Sequence, residues 1–555
     1  MPISARLLRL PSATVGRHDG LGSRLPICEN LRTLVNMFFK YRVIVGVFAS
    51  ILWGLSASGV SPTEESKLQR RVVVVVWDGM RPDFISEKNT PALWKLAHEG
   101  VIFRNHHAVY PSATNVNGTA LVTGVYPGHS GLIANHEYRP EIDRNRSIDV
   151  EIPAVVEKGD ELSNGKYISV PTIAELVQRA GGRTAIATAK TVGLLLNRRV
   201  DLGRGENCVT LFAGESRPRD ALTAILAALG PFPSAHLQQD AWTTKALTDF
   251  LWKGGVPAFS LLWLGEPDLT QHESAPGAQP ALAAIKSCDE NLAGVLSALD
   301  RQEVRETTDV FVASDHGFST IGRSVDLRRI LNDAGLTAKT EFAGEPKSGD
   351  IIMVGNGGTV LFYTERRDSE ITRRLVEFLQ QTDFVGVIFT KEPMKGTFGL
   401  EQAGIDNQHA PDVVMAFRWN DAKNQFGIPG MIDADWQRQA GQGTHATLSR
   451  FDMHNTLIAA GPDFRRGGVD DLPTGNVDLA PTILQILRIN PPQQLDGRLL
   501  SEAMVNIDMP TSKPETKTIQ AIKALPSGTW RQSLQISRVG STIYLDEGNG
   551  VFAKK

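Results

Sequence analysis

The run Arg71-Val-Val-Val-Val-Val-Trp-Asp78 leaves the chain little choice of structure. β-branched side chains are stiff and favour extended backbone. A run apolar on both faces must be covered on both faces, which predicts a central strand of a sheet flanked by helices. Asp78 and Gly79 end the run. Asp78 therefore falls at the carboxyl edge of the strand, where open α/β sheets bind their ligands.

The remainder alternates in the same sense. Thr90-Pro91 supplies an N-cap and first-turn proline for a helix through Glu99, and Thr172-Ile-Ala-Glu175 is a capping box for a helix to Ala180. Thr184 to Ala187 reads as a strand and Asp240 to Trp252 as a helix. Phe259 to Leu264 reads as a strand delivering Glu266-Pro-Asp268. Pro280 to Leu299 is a long helix, with Ile285, Cys288, Leu292, Val295 and Leu299 on one face. Asp309 to Ala313 is a strand ending in Ser314-Asp-His-Gly317. The fold class expected is α/β, with a mainly parallel central sheet and helices on both faces.

Residues 130 to 165 are charged and turn-rich and read as an insertion over the site. Residues 325 to 440 read as a subsidiary lobe packed on the same sheet, with a helix from Ser369 to Gln381 and a strand from Gly358 to Tyr363. Asp412 to Phe417 and Asn455 to Ala460 are expected to return to the main sheet, and Asp478 to Leu487 forms a short amphipathic helix. The catalytic domain then spans 70 to 490, with 491 to 555 as a C-terminal extension.

Composition excludes some functions. The net charge is −3 with no long basic run, so no nucleic-acid surface is indicated. Small anionic substrates must then be held by local groups or metal ions. The N-terminal segment from Met37 has a positive flank, an apolar run from Val43 to Leu55 and small residues to Gly59. That layout is a secretory signal, with an uncleaved anchor as the competing reading. Met37 suits it so well that residues 1 to 36 read as an over-called extension. Export would leave Cys208 and Cys288, which either pair or stay as buried thiols.

Tyr110-Pro-Ser-Ala-Thr-Asn-Val-Asn-Gly-Thr-Ala-Leu-Val-Thr-Gly124 is a turn leading into a small-residue helix. Such a turn gathers hydroxyls and helix-start amides where a nucleophile and an anion would sit, although an ST-rich helix cap has the same look. Ser112, Thr114 and Thr119 are its candidate hydroxyls. The polar residues at the strand ends supply what a nucleophile needs. They are Asp78, then Asp268 and His272, then Asp315 and His316, and His445 in the glycine-rich Gly443-Thr-His445. Carboxylates and imidazoles in this number suit two divalent ions, which at about 4 Å separation stabilise both oxygens of a displacement at phosphorus. His454 is a spare histidine that spacing alone leaves open as a ligand.

Val72 to Gly79, Pro111 to Asn117, Pro267-Asp268 to His272, Ser314 to Gly317 and Gly443 to His445 resemble, in order, the motifs of the alkaline phosphatase superfamily. The nearest branch is the nucleotide pyrophosphatase/phosphodiesterase type. The resemblance implies Thr114 as nucleophile. It places one zinc on Asp78, Thr114, Asp315 and His316, and a second on Asp268, His272 and His445, with other divalent metals able to substitute. It also gives Asn117 the role of hydrogen-bonding a phosphoryl oxygen. Asn115-Val116 stand where the branch commonly has an aromatic and a proline, and Gly118 where a histidine is common. Lys190 matches a lysine that monoesterase relatives place on the phosphate, or is a surface lysine. The arginine those relatives carry two residues later is Val192 here, which favours a diester. The expected function is thus an exported zinc-dependent phosphodiesterase acting on small phosphate esters through a phospho-threonine. The alternatives are a phosphomonoesterase on the same scaffold and a catalytically silent binding protein. Sulfatase relatives need a Cys or Ser leading into x-Pro-x-Arg, which neither Cys208 nor Cys288 provides.

Overall fold

The computed structural model describes residues 70–198, 208–344, 346–505, 507 and 513–555. The signal expected at Met37–Gly59 and the extension read before it lie outside the described residues. No described helix is long and apolar enough to cross a membrane.

Nine described strands form the main sheet: β1 (Arg71–Asp78), β2 (Val101–Phe103), β3 (Thr184–Thr188), β4 (Cys208–Phe212), β5 (Glu215–Arg217), β6 (Phe259–Pro267), β7 (Thr308–Ala313), β8 (Leu457–Ala460) and β9 (Gly468–Asp470). Their spatial order is β9-β2-β8-β7-β1-β6-β3-β4-β5. The central strands β7, β1, β6, β3 and β4 are all parallel. Antiparallel pairs enter only towards the edges, at β8 and β5.

The valine run explains the layering. Val72, Val74 and Val76 pack into one core with the helices Thr114–Thr123, Ile173–Arg179 and Leu479–Ile486. Val73, Val75 and Trp77 pack into the other, with Pro91–Glu99, His236–Lys245 and Gln279–Arg301. Alternate side chains of one strand thus hold two helical layers, each buried valine contributing roughly 1.5–3 kcal/mol.

Several expectations shift in detail. The capping box at Thr172 and Glu175 is present. Thr90 instead turns its hydroxyl to Ser86, and the carboxylate of Asp289 accepts from the helix amides of Ala92 and Leu93. The helix expected to Trp252 becomes a π-helical turn at Ala246–Leu251. The 130 to 165 insertion contains the helix Pro153–Ser163, which lacked a clean apolar period. Cys208 and Cys288 are both buried and unpaired, and Cys288 donates to the carbonyl of Glu266 at 3.2 Å.

The subsidiary lobe builds a sheet of its own rather than lying on the main one. Its strands run Thr337–Lys339, Asp350–Gly355, Thr359–Thr364, Val413–Phe417, Val385–Thr390 and Phe398–Gly399 in spatial order. Val413–Phe417 therefore does not return to the main domain; it lies antiparallel between Thr359–Thr364 and Val385–Thr390. Leu457–Ala460 does return, as β8. An apolar run declares its burial, not its sheet.

The C-terminal residues are also integral. Glu515–Leu525, Gly528–Val539 and Thr542–Lys554 form an antiparallel sheet on the lobe. Gln532 bonds both the amide and the carbonyl of Ile388, at 2.8 and 3.0 Å. Trp530 is fully buried and donates to the carbonyl of Gly396 at 2.9 Å. Trp530→Ala is expected to cost about 3–5 kcal/mol in denaturant unfolding. A loss below about 1 kcal/mol would show that the sheet is only loosely attached.

Candidate active site

Each proposed ligand stands at the carboxyl edge of a central strand or in a loop held against it. Asp78 is the last residue of β1, and a register shift there pairs it with Pro267, the residue before Asp268. Asp268 opens the short helix Asp268–Ser274, which places His272 one turn along on the same side. Asp240 fixes this strand end by accepting from the amides of Gly265 and Glu266, at 2.7 and 3.2 Å. Asp315 and His316 follow β7 directly. His445 follows the short strand Gly443–Thr444, which pairs with Ser319–Ser324.

These side chains form two groups, each able to hold a metal ion: Asp78, Asp315 and His316, and Asp268, His272 and His445. The backbone sets the histidine tautomers. The Nδ1 atoms of His272, His316 and His445 face the carbonyls of Gly443, Gly317 and Ser112 at 3.0, 2.8 and 2.8 Å. A proton on each Nδ1 leaves a lone pair on each Nε2, the arrangement metal-binding histidines use. Those Nε2 atoms converge on carboxylates: His316 lies 3.1 Å from Asp315, and His272 and His445 lie 3.3 and 3.5 Å from Asp268.

The carboxylates are divided likewise. Asp78 Oδ2 accepts from the Trp263 indole at 2.8 Å, and Asp315 Oδ1 from the amide of Gly79 at 3.0 Å. Lys190 Nζ lies 3.0 Å from both Asp78 Oδ2 and Asp268 Oδ2. The remaining oxygens, Asp78 Oδ1, Asp268 Oδ1 and Asp315 Oδ2, are buried without a hydrogen-bond partner. Three orphaned carboxylate oxygens facing three imidazole nitrogens fit divalent ions, because a cation satisfies every one of them together.

The charges agree with that fit. Burial and the neighbouring Asp315 raise the pKa of Asp78 well above the usual carboxylate range. Burial pushes Asp315 up to about 7. Burial also acts upward on Asp268, but Lys190 and His272 together hold it well below its usual value. Burial lowers His445, whose ring stacks on His316 at 3.7 Å. One ammonium cannot neutralise three buried carboxylates, and the proton affinity of Asp78 and Asp315 rises accordingly.

Of the three candidate hydroxyls, only Thr114 faces this centre. Its Oγ1 lies 3.3 Å from His316 Nε2 and 3.5 Å from Lys190 Nζ. Ser112 donates to the carbonyl of Thr447, and Thr119 to that of Asn115 one turn back. Lys190 is therefore no surface lysine. His454 stands outside both groups and packs on His107 at 4.4 Å between ring centroids.

Asn117 does not point into the site. Its amide nitrogen donates to the carbonyls of Val109, Pro111 and Ala113, and its oxygen accepts from Val109 and Asn476. That asparagine braces the turn before the helix. Asn135, which carried no sequence signal beyond its place in the turn-rich insertion, lines the cavity with Thr114. Its Oδ1 accepts from the amide of Asn115 at 3.0 Å, capping a helix whose own N-cap residue, Ala113, cannot. With the oxygen so engaged, the Nδ2 group is free to donate. The amide of Thr114 has no acceptor among the described residues. The departures at Gly118 and Val192 are linked: a Cβ on Gly118 would lie 2.9 Å from Val192 Cγ2, and Val192 is buried in the core.

Fold and site together define an alkaline-phosphatase-like α/β architecture. The human ectonucleotide pyrophosphatase/phosphodiesterase 5 structure is similar over 79% of this chain and 100% of its own, with a TM-score of 0.55 at 17% identity. The model of the Type I phosphodiesterase / nucleotide pyrophosphatase family matches residues 72–420, and the chain belongs to that family. Human ectonucleotide pyrophosphatase/phosphodiesterase family member 7 is 22% identical over 455 residues, 80% of this chain and 85% of that protein. The Naja atra venom phosphodiesterase is 23% identical over 273 residues, covering 48% of this chain but only 28% of the snake protein.

A carboxylate whose pKa is raised by folding binds an extra proton in the folded state, so its contribution to stability falls as pH rises from about 4 to the raised value. For Asp315 that window ends at about 7. Metal binding must expel such protons. Titrating the metal-stripped protein with zinc at about pH 6, in buffers of different ionisation enthalpy, is expected to release at least about one proton per chain, fewer at about pH 8.5. Release that is absent at both pH values contradicts this electrostatic picture.

Proposed function

We propose that the chain is an exported hydrolase of phosphate diesters, working through a phospho-threonine on a centre that holds two zinc ions or other divalent metals. The observation that carries the reading is the convergence of three histidine Nε2 atoms and three orphaned carboxylate oxygens beside Thr114 Oγ1. Asp78, Thr114, Asp315 and His316 would hold one ion, and Asp268, His272 and His445 the other. Bound there, the ions supply Lewis-acid charge to the phosphoryl oxygens and lower the proton affinity of the attacking oxygen.

The chain supplies the remainder. Thr114 Oγ1 attacks phosphorus, forming an Oγ–P bond as the bond to the leaving oxygen breaks, and the leaving group departs as its alcohol with the threonine proton. Water then attacks the phosphoryl-threonine and returns the hydroxyl, releasing the monoester. Lys190 places positive charge beside Oγ1. The amide of Thr114 and Nδ2 of Asn135 are the donors for a non-bridging oxygen, with Asn135 taking the role first given to Asn117. With Val192 buried in the core where monoesterase relatives carry an arginine, the site lacks that clamp on a dianion and suits a diester monoanion better than a monoester dianion. Export rests on the Met37–Gly59 segment and is read by N-terminal sequencing of the mature protein.

With zinc added, kcat/KM on an aryl phosphate diester is expected to exceed that on the matching monoester; a strong monoester preference contradicts the diester reading. Thr114→Ala should abolish turnover while zinc content is retained. Less than one zinc per chain in the parent would favour a silent binding protein. Asn135→Ala is expected to lower kcat about 10²-fold, the scale of losing one oxyanion donor. Asn117→Ala should instead lower thermal stability by leaving the Val109 amide without its acceptor.

A further inference from the structure

The cavity at Thr114 holds about 160 Å³, and much of its lining comes from outside the metal-binding motifs. His136 and Glu151 belong to the 130 to 165 insertion; Asn356, Gln437 and Arg438 belong to the lobe. A diester engaged by Thr114 lays its ester groups, the departing one included, against such residues. Their charges therefore bear on which leaving groups are accepted.

Most of the charged lining is already answered. Lys190 bridges Asp78 and Asp268, and His272 and His445 face Asp268. Glu151 acts on Lys190 and helps to hold it protonated. Arg438 differs. It is partly buried in the cavity wall, yet it makes no hydrogen bond and no ion pair among the described residues. A guanidinium is always charged and carries five donors, so one left open on a reaction cavity is a binding group awaiting an anion.

The turn that carries it is held in place. The buried carboxylate of Asp435 accepts from the amide of Gly357 at 2.8 Å and from the amide and side chain of Gln437 at 3.0 Å each. The Asp435 amide returns a bond to the carbonyl of Gly357 at 2.9 Å. The next glycine, Gly358, donates to the carbonyl of His445 at 2.8 Å. Gly357 has φ +74, and a Cβ there would stand 2.5 Å from Thr444 Oγ1. The turn carrying Arg438 is thus tied, through two glycines, to the loop carrying His445. Asp435 feels the charge of Arg438 but is spent on these amides.

We propose that Arg438 is a specificity residue that reads a negative charge on the leaving group, so that diesters whose leaving group bears a further anionic group are preferred. This rests on the diesterase reading. The test uses two methyl aryl phosphates whose departing phenol carries, at the same ring position, a carboxylate or a carboxamide. The readout is the ratio of the two kcat/KM values within each zinc-loaded protein, which cancels general damage to the site.

The parent is expected to favour the carboxylate, and Arg438→Gln to lower the ratio about 10- to 100-fold, the scale of a charge-assisted hydrogen bond. Arg438→Lys should recover part of it. An unchanged ratio in Arg438→Gln overturns the proposal, whether both rates fall together or neither moves. If the parent turns over neither ester, the diesterase reading fails by itself. Calorimetric binding of the same two esters to zinc-loaded Thr114→Ala, with and without Arg438→Gln, still reads the charge preference. Equal discrimination by the two proteins there again overturns the role of Arg438.

Discussion

Three buried carboxylates around one ammonium are the constraint on which the site depends. Asp78, Asp268 and Asp315 come from the ends of three adjacent parallel strands, and the strand order β7-β1-β6 makes them neighbours. Folding thus forces negative charge together at the sheet edge, where burial makes it costly. The chain answers in part with Lys190 and with a raised proton affinity at Asp78 and Asp315. Divalent cations would answer it fully, and the backbone has turned three imidazoles so that their Nε2 atoms face the candidate metal-binding groups. The valine run that builds the sheet and the ligands that line its edge are therefore parts of one solution.

Much of this was legible in the sequence, and unevenly. Elements with strong periodicity were read well, because the five valines and the face of Ile285 to Leu299 express burial directly. The candidate metal-binding residues were picked from their places after strands, and topology does bring them together. Asn117 and Asn135 show the limit. Both are asparagines near the nucleophile, and only the hydrogen-bond network shows that one is saturated by Val109, Pro111 and Ala113 while the other caps the helix and keeps its amide free. The assignment of Val413–Phe417 failed for a related reason, since pairing partners far along the chain decide which sheet a buried strand joins.

The lobe and the C-terminal strands change how the site is bounded. Gly357 and Gly358 let the lobe approach the His445 loop more closely than any side chain would permit. The C-terminal sheet then braces the lobe through Trp530 and Gln532. The cavity at Thr114 is thereby lined in part by residues remote in sequence from the candidate metal-binding groups. The paired departures at Gly118 and Val192 fit the same view: a small residue on the Thr114 helix accommodates an apolar side chain buried in the core.

The account turns on Thr114 as the group that takes up phosphorus, and the direct measurement is covalent. Zinc-loaded protein is mixed with an aryl diester and quenched with acid before turnover is complete. The peptide containing Ser112, Thr114 and Thr119 is then sequenced by mass spectrometry. The account predicts a phosphoryl ester on Thr114 and on neither other hydroxyl. Phosphoryl on Ser112, or burst-phase turnover leaving every hydroxyl of that peptide unmodified, would contradict it.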